Sequence, residues 1–129
     1  MEAIIKQIIE SGRGENLLDF LYQSISDERR TRFEAVSAKR TRHITVAIEN
    51  IYQSHNASAV LRSCDCFGIQ DVHIIEKSHQ FNPNDDIALG AEKWLDIYKY
   101  SSENGQKECY NNLKKNGYRT MATTPHFNA

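Results

Sequence analysis

The spacing of apolar and polar positions divides the 129-residue chain into a helical front and an alternating back. Residues 2–10 read as a short helix that stops before Ser11 and Gly12, and "GRGEN" then breaks the pattern with two glycines. In "NLLDFLYQSI" the apolar side chains Leu17, Leu18, Leu21, Tyr22 and Ile25 recur at helical spacing, which predicts a second helix starting near Asn16. A third, "DERRTRFEAVSAKR", is expected to start with Asp27 as N-cap. It carries Glu28 in the first turn and basic residues near its end, the order that suits the helix dipole.

The period then changes. "HITVAIENIY" alternates Ile44, Val46 and Ile48 against Thr45, Ala47 and Glu49, a β-branched run that predicts a strand. His55 and Asn56 open a helix, with Asn56 as N-cap, and Ala57, Val60, Leu61, Cys64 and Gly68 fall along one face. Gly68 ends it, and "DVHIIE" makes the next strand. A strand, helix, strand unit of about 30 residues is a right-handed crossover feeding a parallel sheet. Farther on, "FNPNDDIALGAEK" is turn-rich with room for a short helix, and "WLDIYKY" sets Trp94, Asp96 and Tyr98 against Leu95 and Ile97 as a strand. "SENGQKECYNNLKKNG" is a helix closed by Gly117, and "YRTMATT" a last strand. The fold class is therefore α/β with a parallel sheet and no internal repeat, and the last strand ends where open α/β sheets hold their ligands.

Composition narrows the class without changing it. At 14.8 kDa the chain suits one domain; it contains no run of about 18 apolar residues, and "MEAIIKQIIE" does not read as a secretory signal, so a cytoplasmic protein without a membrane partner is expected. The three cysteines are odd in number, and the C-x-C of Cys64 and Cys66 points two thiols about 160° apart on a helix. Buried or idle thiols, with no metal, are the expectation. The net charge of −1 conceals an asymmetry. Arg29, Arg30, Arg32, Lys39, Arg40 and Arg42 face the single acid Glu34, so this segment is +5 and the remainder −6. Such a segment suits a phosphate backbone, although a merely solvated helix is the commoner case.

No P-loop, G-x-G-x-x-G, H-E-x-x-H or Ser/His/Asp spacing is present. One stretch does carry a specific pattern. "IENIYQSHNASAVLRSCDCFGIQDVHII", with N-x-x-A-x-x-R followed by an F-G helix exit, resembles the first motif of the SpoU/TrmH family of RNA ribose 2′-O-methyltransferases. "RRTRFEAVSAKRTRHITVAIEN" upstream, and "GAEKWLDIYKY" and "NGYRTMATT" downstream, are similar to the tRNA guanosine branch, so the resemblance covers most of 27–124. It implies a Rossmann-like SPOUT methyltransferase domain beginning at residue 43. Residues 1–42 would form a basic, RNA-contacting helical extension, its first 26 residues a lineage-specific addition. The family's second motif, a glycine/glutamate turn, and its third, ending in S-L-N, have no counterpart before Ala129. By resemblance this sequence corresponds to an N-terminal portion, without the trefoil knot and most of the cofactor pocket, and inactive by itself.

The resemblance assigns roles residue by residue. Arg62 would act at the ribose 2′-hydroxyl; a guanidinium is a poor base at neutral pH, so binding phosphate and stabilising the developing alkoxide is the better role. The alternative is a surface arginine paired with Asp65 at i, i+3. Asn56 would orient Arg62 and the ribose besides capping the helix, and Thr123 would line the S-adenosylmethionine pocket or simply end a strand. Arg29, Arg30, Arg32, Arg40 and Arg42 would meet tRNA phosphates. Glu49 and Asn50 at the strand end read as turn formers, with walls of the site as the alternative, and His55 as a surface residue at the helix entry. The resemblance further implies tRNA as partner, with rRNA as the alternative, and a homodimer for the complete enzyme. A non-catalytic RNA-binding module and a generic α/β interaction domain stand beside the methyltransferase as competing readings.

Overall fold

The computed structural model describes residues 7–82 and 84–123 and separates into two compact units, one ending at Lys39 and one beginning at Arg40. In the first, residues 7–10 are helical, the remainder of the predicted 2–10 helix lying outside the described residues. Helix α1, Gly14–Tyr22, begins two residues before the predicted start, and α2 spans Asp27–Ser37. The hydroxyl of Ser26 accepts the Arg29 N–H at 3.3 Å, so Ser26 caps α2, one residue earlier than expected. Asp27 and Glu28 instead occupy the first turn, where carboxylates meet the positive end of the dipole. The helix stops at Ser37, and Lys39 and Arg40 fall outside it rather than in its last turn. The Arg30 guanidinium lies 4.3 Å from the centroid of the Tyr22 ring.

The second unit is built on three parallel strands, β1 (Val46–Glu49), β2 (Asp71–Ile75) and β3 (Asp96–Tyr100), in spatial order β1-β2-β3. Helix α3, Ser54–Cys66, joins the first two; α4, Asp85–Ala88, and a 3₁₀ turn, Ala91–Lys93, lead to β3; α5, Gly105–Lys115, follows it. The centre is β2, buried at all five positions. Its two faces serve two packed layers. Val72 and Ile74 meet Leu61 and Cys64 of α3, with Leu95 completing that cluster, while Ile75 packs on Cys109 and Leu113 of α5. Burial pushes the Cys109 thiol up to about 11, as expected of a cysteine that serves as core.

Glycines fix how the helices end and approach the sheet. Gly68 has φ of 72°, and with it the Ile69 N–H reaches Cys64 O at 2.9 Å and the Gly68 N–H reaches Asp65 O at 3.1 Å, satisfying the last carbonyls of α3. At the start of α5, a Cβ on Gly105 would stand 2.7 Å from the Tyr100 carbonyl oxygen, so no larger residue fits without moving β3.

Three predicted strands need correction. The first is shorter than "HITVAIENIY", because Ile44 is exposed and ladder pairing starts only at Val46 opposite Val72. Trp94 lies outside β3, at the end of the 3₁₀ turn, while Leu95 and Ile97 turn to the core under α3 and Tyr100 packs on the cluster under α5. "YRTMATT" forms no strand among its described residues: the Tyr118 hydroxyl donates to the Arg42 carbonyl, but Met121 is 93% exposed. Alternation sets which side chains share a face; the strand itself exists only where a neighbour supplies the ladder, and 118–123 takes none.

A buried histidine on β2 makes stability depend on pH. His73 is 5% exposed, stacked on Tyr98 and Tyr100 at 5.0 and 5.8 Å, with Nδ1 3.0 Å from the Tyr100 hydroxyl, which also accepts from Asn112 at 2.9 Å. Burial lowers its pKa below the ordinary 6.5, against an opposing pull from Asp71. The unfolded chain then binds the proton more readily than the folded one, so stability falls as pH drops through the unfolded value. Thermal midpoints should decline from about pH 7 to about pH 5, and His73→Phe should flatten that slope; an unchanged slope in the variant would assign it to another group.

Candidate functional site

Helix α3 presents its two sides to different tasks. Ala57, Ser58, Leu61 and Cys64 are buried, whereas Asn56 and Arg62 are exposed. Arg62 has no ion-pair or hydrogen-bond partner through its side chain among the described residues. Its expected local partner is committed elsewhere: Asp65 pairs with Arg40, whose side chain is 13% exposed and whose Nη1 also donates to Ile69 O at 3.5 Å. Arg40 therefore ties the start of the unit to the last turn of α3, and in doing so leaves the Arg62 guanidinium to solvent.

Asn56 is not the N-cap. The helix starts at Ser54 after Gln53, which holds extended angles and makes no side-chain cap, so Asn56 is the third helical residue and its Nδ2 donates to Gln53 Oε1 at 3.3 Å. Six residues of helix separate Asn56 from Arg62, about 9 Å along the axis and about 120° around it. The structure does not bring the two together on one face. His55 is exposed in the first turn of α3, as expected of a residue at the helix entry.

The basic cluster resolves into two groups. On α2, Arg30 and Glu34 stand 2.9 Å apart, Arg32 and Glu28 3.8 Å apart, and Arg29 lies 5.8 Å from the Phe33 ring centroid. Such exposed pairs hold weakly and exchange with other anions. Arg40 and Arg42, which the sequence placed with them, pair with carboxylates of the second unit. Asp71 and Asp96 are directly opposite on β2 and β3, and Arg42 bridges them, its Nη2 2.6 Å from Asp96 Oδ2. Those bonds, Asp96 first and Asp71 second, raise the Arg42 pKa above its ordinary value. Without Arg42, two like charges would face each other across the ladder. Sequence spacing gave no signal of this clamp, since its members are far apart in the chain and meet only through strand register.

At the carboxyl ends of β1 and β2 lies a cavity of about 200 Å³, with Ile48, Ala57 and Ile74 among its apolar lining and Tyr52, Glu76 and His79 among its polar and aromatic lining. The sequence did not single out these last three. Asn50, read as a turn former, does form the turn: it has φ of 49°, and its Oδ1 accepts the Ser78 and His79 N–H groups at 2.8 and 3.2 Å. Glu49 accepts from Gln106 at 3.2 Å, tying β1 to α5. The cavity is smaller than the roughly 300 to 1,000 Å³ typical of small-molecule and cofactor sites. Thr123 is exposed and is not part of its lining. Thr123 and this cavity do not together fit a whole S-adenosylmethionine. Among the described residues, no group of three or more His, Cys, Asp or Glu is placed to hold a metal, and no helix is long and apolar enough to cross a membrane.

Comparison with known proteins places this geometry. A profile of the SpoU rRNA Methylase family matches residues 43–129. The tRNA (guanosine(18)-2′-O)-methyltransferase of Borreliella burgdorferi is 38% identical over 104 residues, covering 81% of this chain and 46% of that protein. The enzyme of the same name from Thermus thermophilus is 30% identical over 98 residues, covering 76% of this chain and 49% of that one. The chain spans about half the length of the curated relatives it matches. A crystal structure of the A. aeolicus TrmH/SpoU tRNA modifying enzyme matches with a TM-score of 0.58 at 27% identity, over 70% of this chain and 45% of that one. With the sheet, the crossover helix and the sequence of α3 all in agreement, the chain belongs to the SpoU rRNA methylase family.

Proposed function

We propose that this chain is part of a cytoplasmic RNA methyltransferase that moves a methyl group from S-adenosylmethionine to the ribose 2′-hydroxyl of a guanosine in tRNA. The carrying observation is Arg62, a solvent-facing guanidinium on a helix anchored by Leu61 and Cys64, with Asp65 withdrawn from it by Arg40. A guanidinium remains protonated at neutral pH, so Arg62 binds a phosphate oxygen and stabilises the negative charge that develops on the 2′-oxygen as its proton passes to solvent water; that oxygen then bonds to the methyl carbon as the carbon–sulfur bond of S-adenosylmethionine breaks. Anchorage on a rigid helix supplies the orientation. Asn56, displaced around the helix, contacts the ribose rather than Arg62. S-adenosylmethionine supplies the electrophilic methyl group, and Thr123 joins its pocket in the complete, dimeric enzyme.

Arg29, Arg30 and Arg32 of α2 meet tRNA phosphates, exchanging glutamate for phosphate. The phosphate role narrows to these three because Arg40 and Arg42 neutralise Asp65, Asp71 and Asp96. Removing one phosphate-binding arginine should reduce the slope of log affinity against log salt by about one, so Arg29→Ala with Arg30→Ala should reduce it by about two. An unchanged slope would remove α2 from the interface.

The small cavity favours a second reading, in which this chain binds RNA without transferring a methyl group. Methyl transfer to tRNA, assayed with S-adenosylmethionine on the 129-residue chain and on a form as long as the relatives, tests both. Transfer by the longer form is expected. Its absence there, with tRNA binding retained, would leave the binding module.

A further inference from the structure

We propose that the cavity at the carboxyl ends of β1 and β2 seats a guanine base of the RNA, held between an aromatic rim and the Glu76 carboxylate. This rests on the reading of the protein as acting on RNA, and it assigns the site that recognises the base.

Strand ends and the start of α3 form the floor of the cavity, and its rim comes from the loops 50–53 after β1 and 76–82 after β2; loops at sheet ends are ordinarily the mobile parts of an α/β fold. Here two side chains brace them. Asn50 adopts a left-handed conformation that costs a non-glycine residue energy, and from it reaches across to cap Ser78 and His79 of the opposite loop. Glu76 accepts the Phe81 N–H at 2.8 Å through Oε1 and the Ser101 hydroxyl through Oε2. The effect of the two braces is to hold the cavity open in one shape, the preorganisation that lowers the cost of binding a ligand.

The lining specifies a flat, mostly apolar ring with polar edges. Ile48, Ala57 and Ile74 contribute aliphatic surface. Tyr52 is 77% exposed and packs against His79 with ring centroids 4.8 Å apart and planes at 71°. An exposed ring at the rim of a cavity offers a face for stacking, the contact single-stranded nucleic acids use. A volume of about 200 Å³ admits one base and not a nucleotide, so the sugar remains outside.

The carboxylate chooses among bases. Guanine alone presents two adjacent N–H donors, N1–H and the N2 amine, to a single carboxylate. Adenine and cytosine offer one amine beside an acceptor, and uracil one N–H between two carbonyls. Each Glu76 oxygen already accepts one hydrogen bond and retains capacity for another. The bonds from Ser101 and Phe81 keep its pKa below the ordinary glutamate value, so it is ionised at neutral pH.

The test is an amide NMR titration of the 129-residue chain with guanosine, inosine and adenosine, repeated on variants. Saturable shifts confined to residues 51–54 and 76–82 are expected, strongest for guanosine and weaker for inosine, which lacks the N2 amine. Tyr52→Ala, at an exposed position, should weaken guanosine about tenfold. Glu76→Gln should erase the preference for guanosine over adenosine. Asn50→Gly, which keeps the backbone conformation and removes only the brace, should weaken all three nucleosides alike. No saturable shift, or guanosine affinity unchanged in Tyr52→Ala, would overturn the site; equal affinity for adenosine would overturn the guanine assignment. Guanosine binding with no methyl transfer by the longer form would sink the enzyme reading and leave the site. Methyl transfer with a tRNA KM unchanged by Tyr52→Ala and Glu76→Gln would do the reverse.

Discussion

Arg62→Ala is expected to lower methyl transfer to tRNA by about 100- to 1,000-fold in a form as long as the relatives, the cost of removing one donor aimed at developing negative charge. The fold should be indifferent to the change. Arg62 is exposed and has no side-chain partner among the described residues, and surface substitutions of that kind move stability by no more than about 0.5 kcal/mol. Arg62→Lys is the sharper comparison, because lysine keeps the charge and loses the planar fork. If the role is bidentate contact with phosphate and alkoxide, lysine recovers only part of the rate. Wild-type turnover in Arg62→Ala would end the assignment.

The adjacent residue should behave in the opposite way. Leu61 is fully buried in the cluster formed with Cys64, Val72, Ile74 and Leu95, where α3 meets the central strand. Leu61→Ala removes methyl groups from a site whose walls belong to two rigid elements, and should cost about 2–5 kcal/mol of unfolding free energy. Urea or thermal unfolding of the 129-residue chain would show it as a large drop in midpoint. A drop below about 0.5 kcal/mol would mean that α3 does not anchor on the sheet, and the positioning argument for Arg62 would fall with it. With the expected results, two neighbours on one helix separate fold from chemistry.

Much of this was legible along the chain. The helical face of Ala57, Leu61 and Cys64 follows from spacing alone, as does the stop at Gly68, because a helix has a fixed period and only glycine enters the left-handed turn that ends it cheaply. The strand itself follows from "DVHIIE", but its central position does not: Asp71 and His73 alternate with Val72 and Ile74, and only the neighbours on either side bury that polar face. Helix starts were less legible: Ser26 and Gln53, not Asp27 and Asn56, stand at the caps of α2 and α3. Several adjacent residues have cap chemistry, and the path of the preceding loop decides which one receives the free N–H groups. The ion pairs were not legible at all, since Arg40 with Asp65 and Arg42 with Asp71 and Asp96 are separated by 25 to 54 positions.

The sequence by itself determined the α/β class, the order of the main elements, the buried face of α3 and the N-x-x-A-x-x-R signature that places Arg62, because each is carried by local periodicity or by identity at fixed spacing. Tertiary structure alone decided which charges are spent and which remain. Strand register sets Asp71 opposite Asp96 under Arg42, the fold of the segment before β1 delivers Arg40 to Asp65, and the loop braces of Asn50 and Glu76 shape the cavity beside Tyr52. The physical reason is range: spacing acts within a few residues, while an ion pair or a cavity depends on groups that only the folded chain brings within about 4 Å.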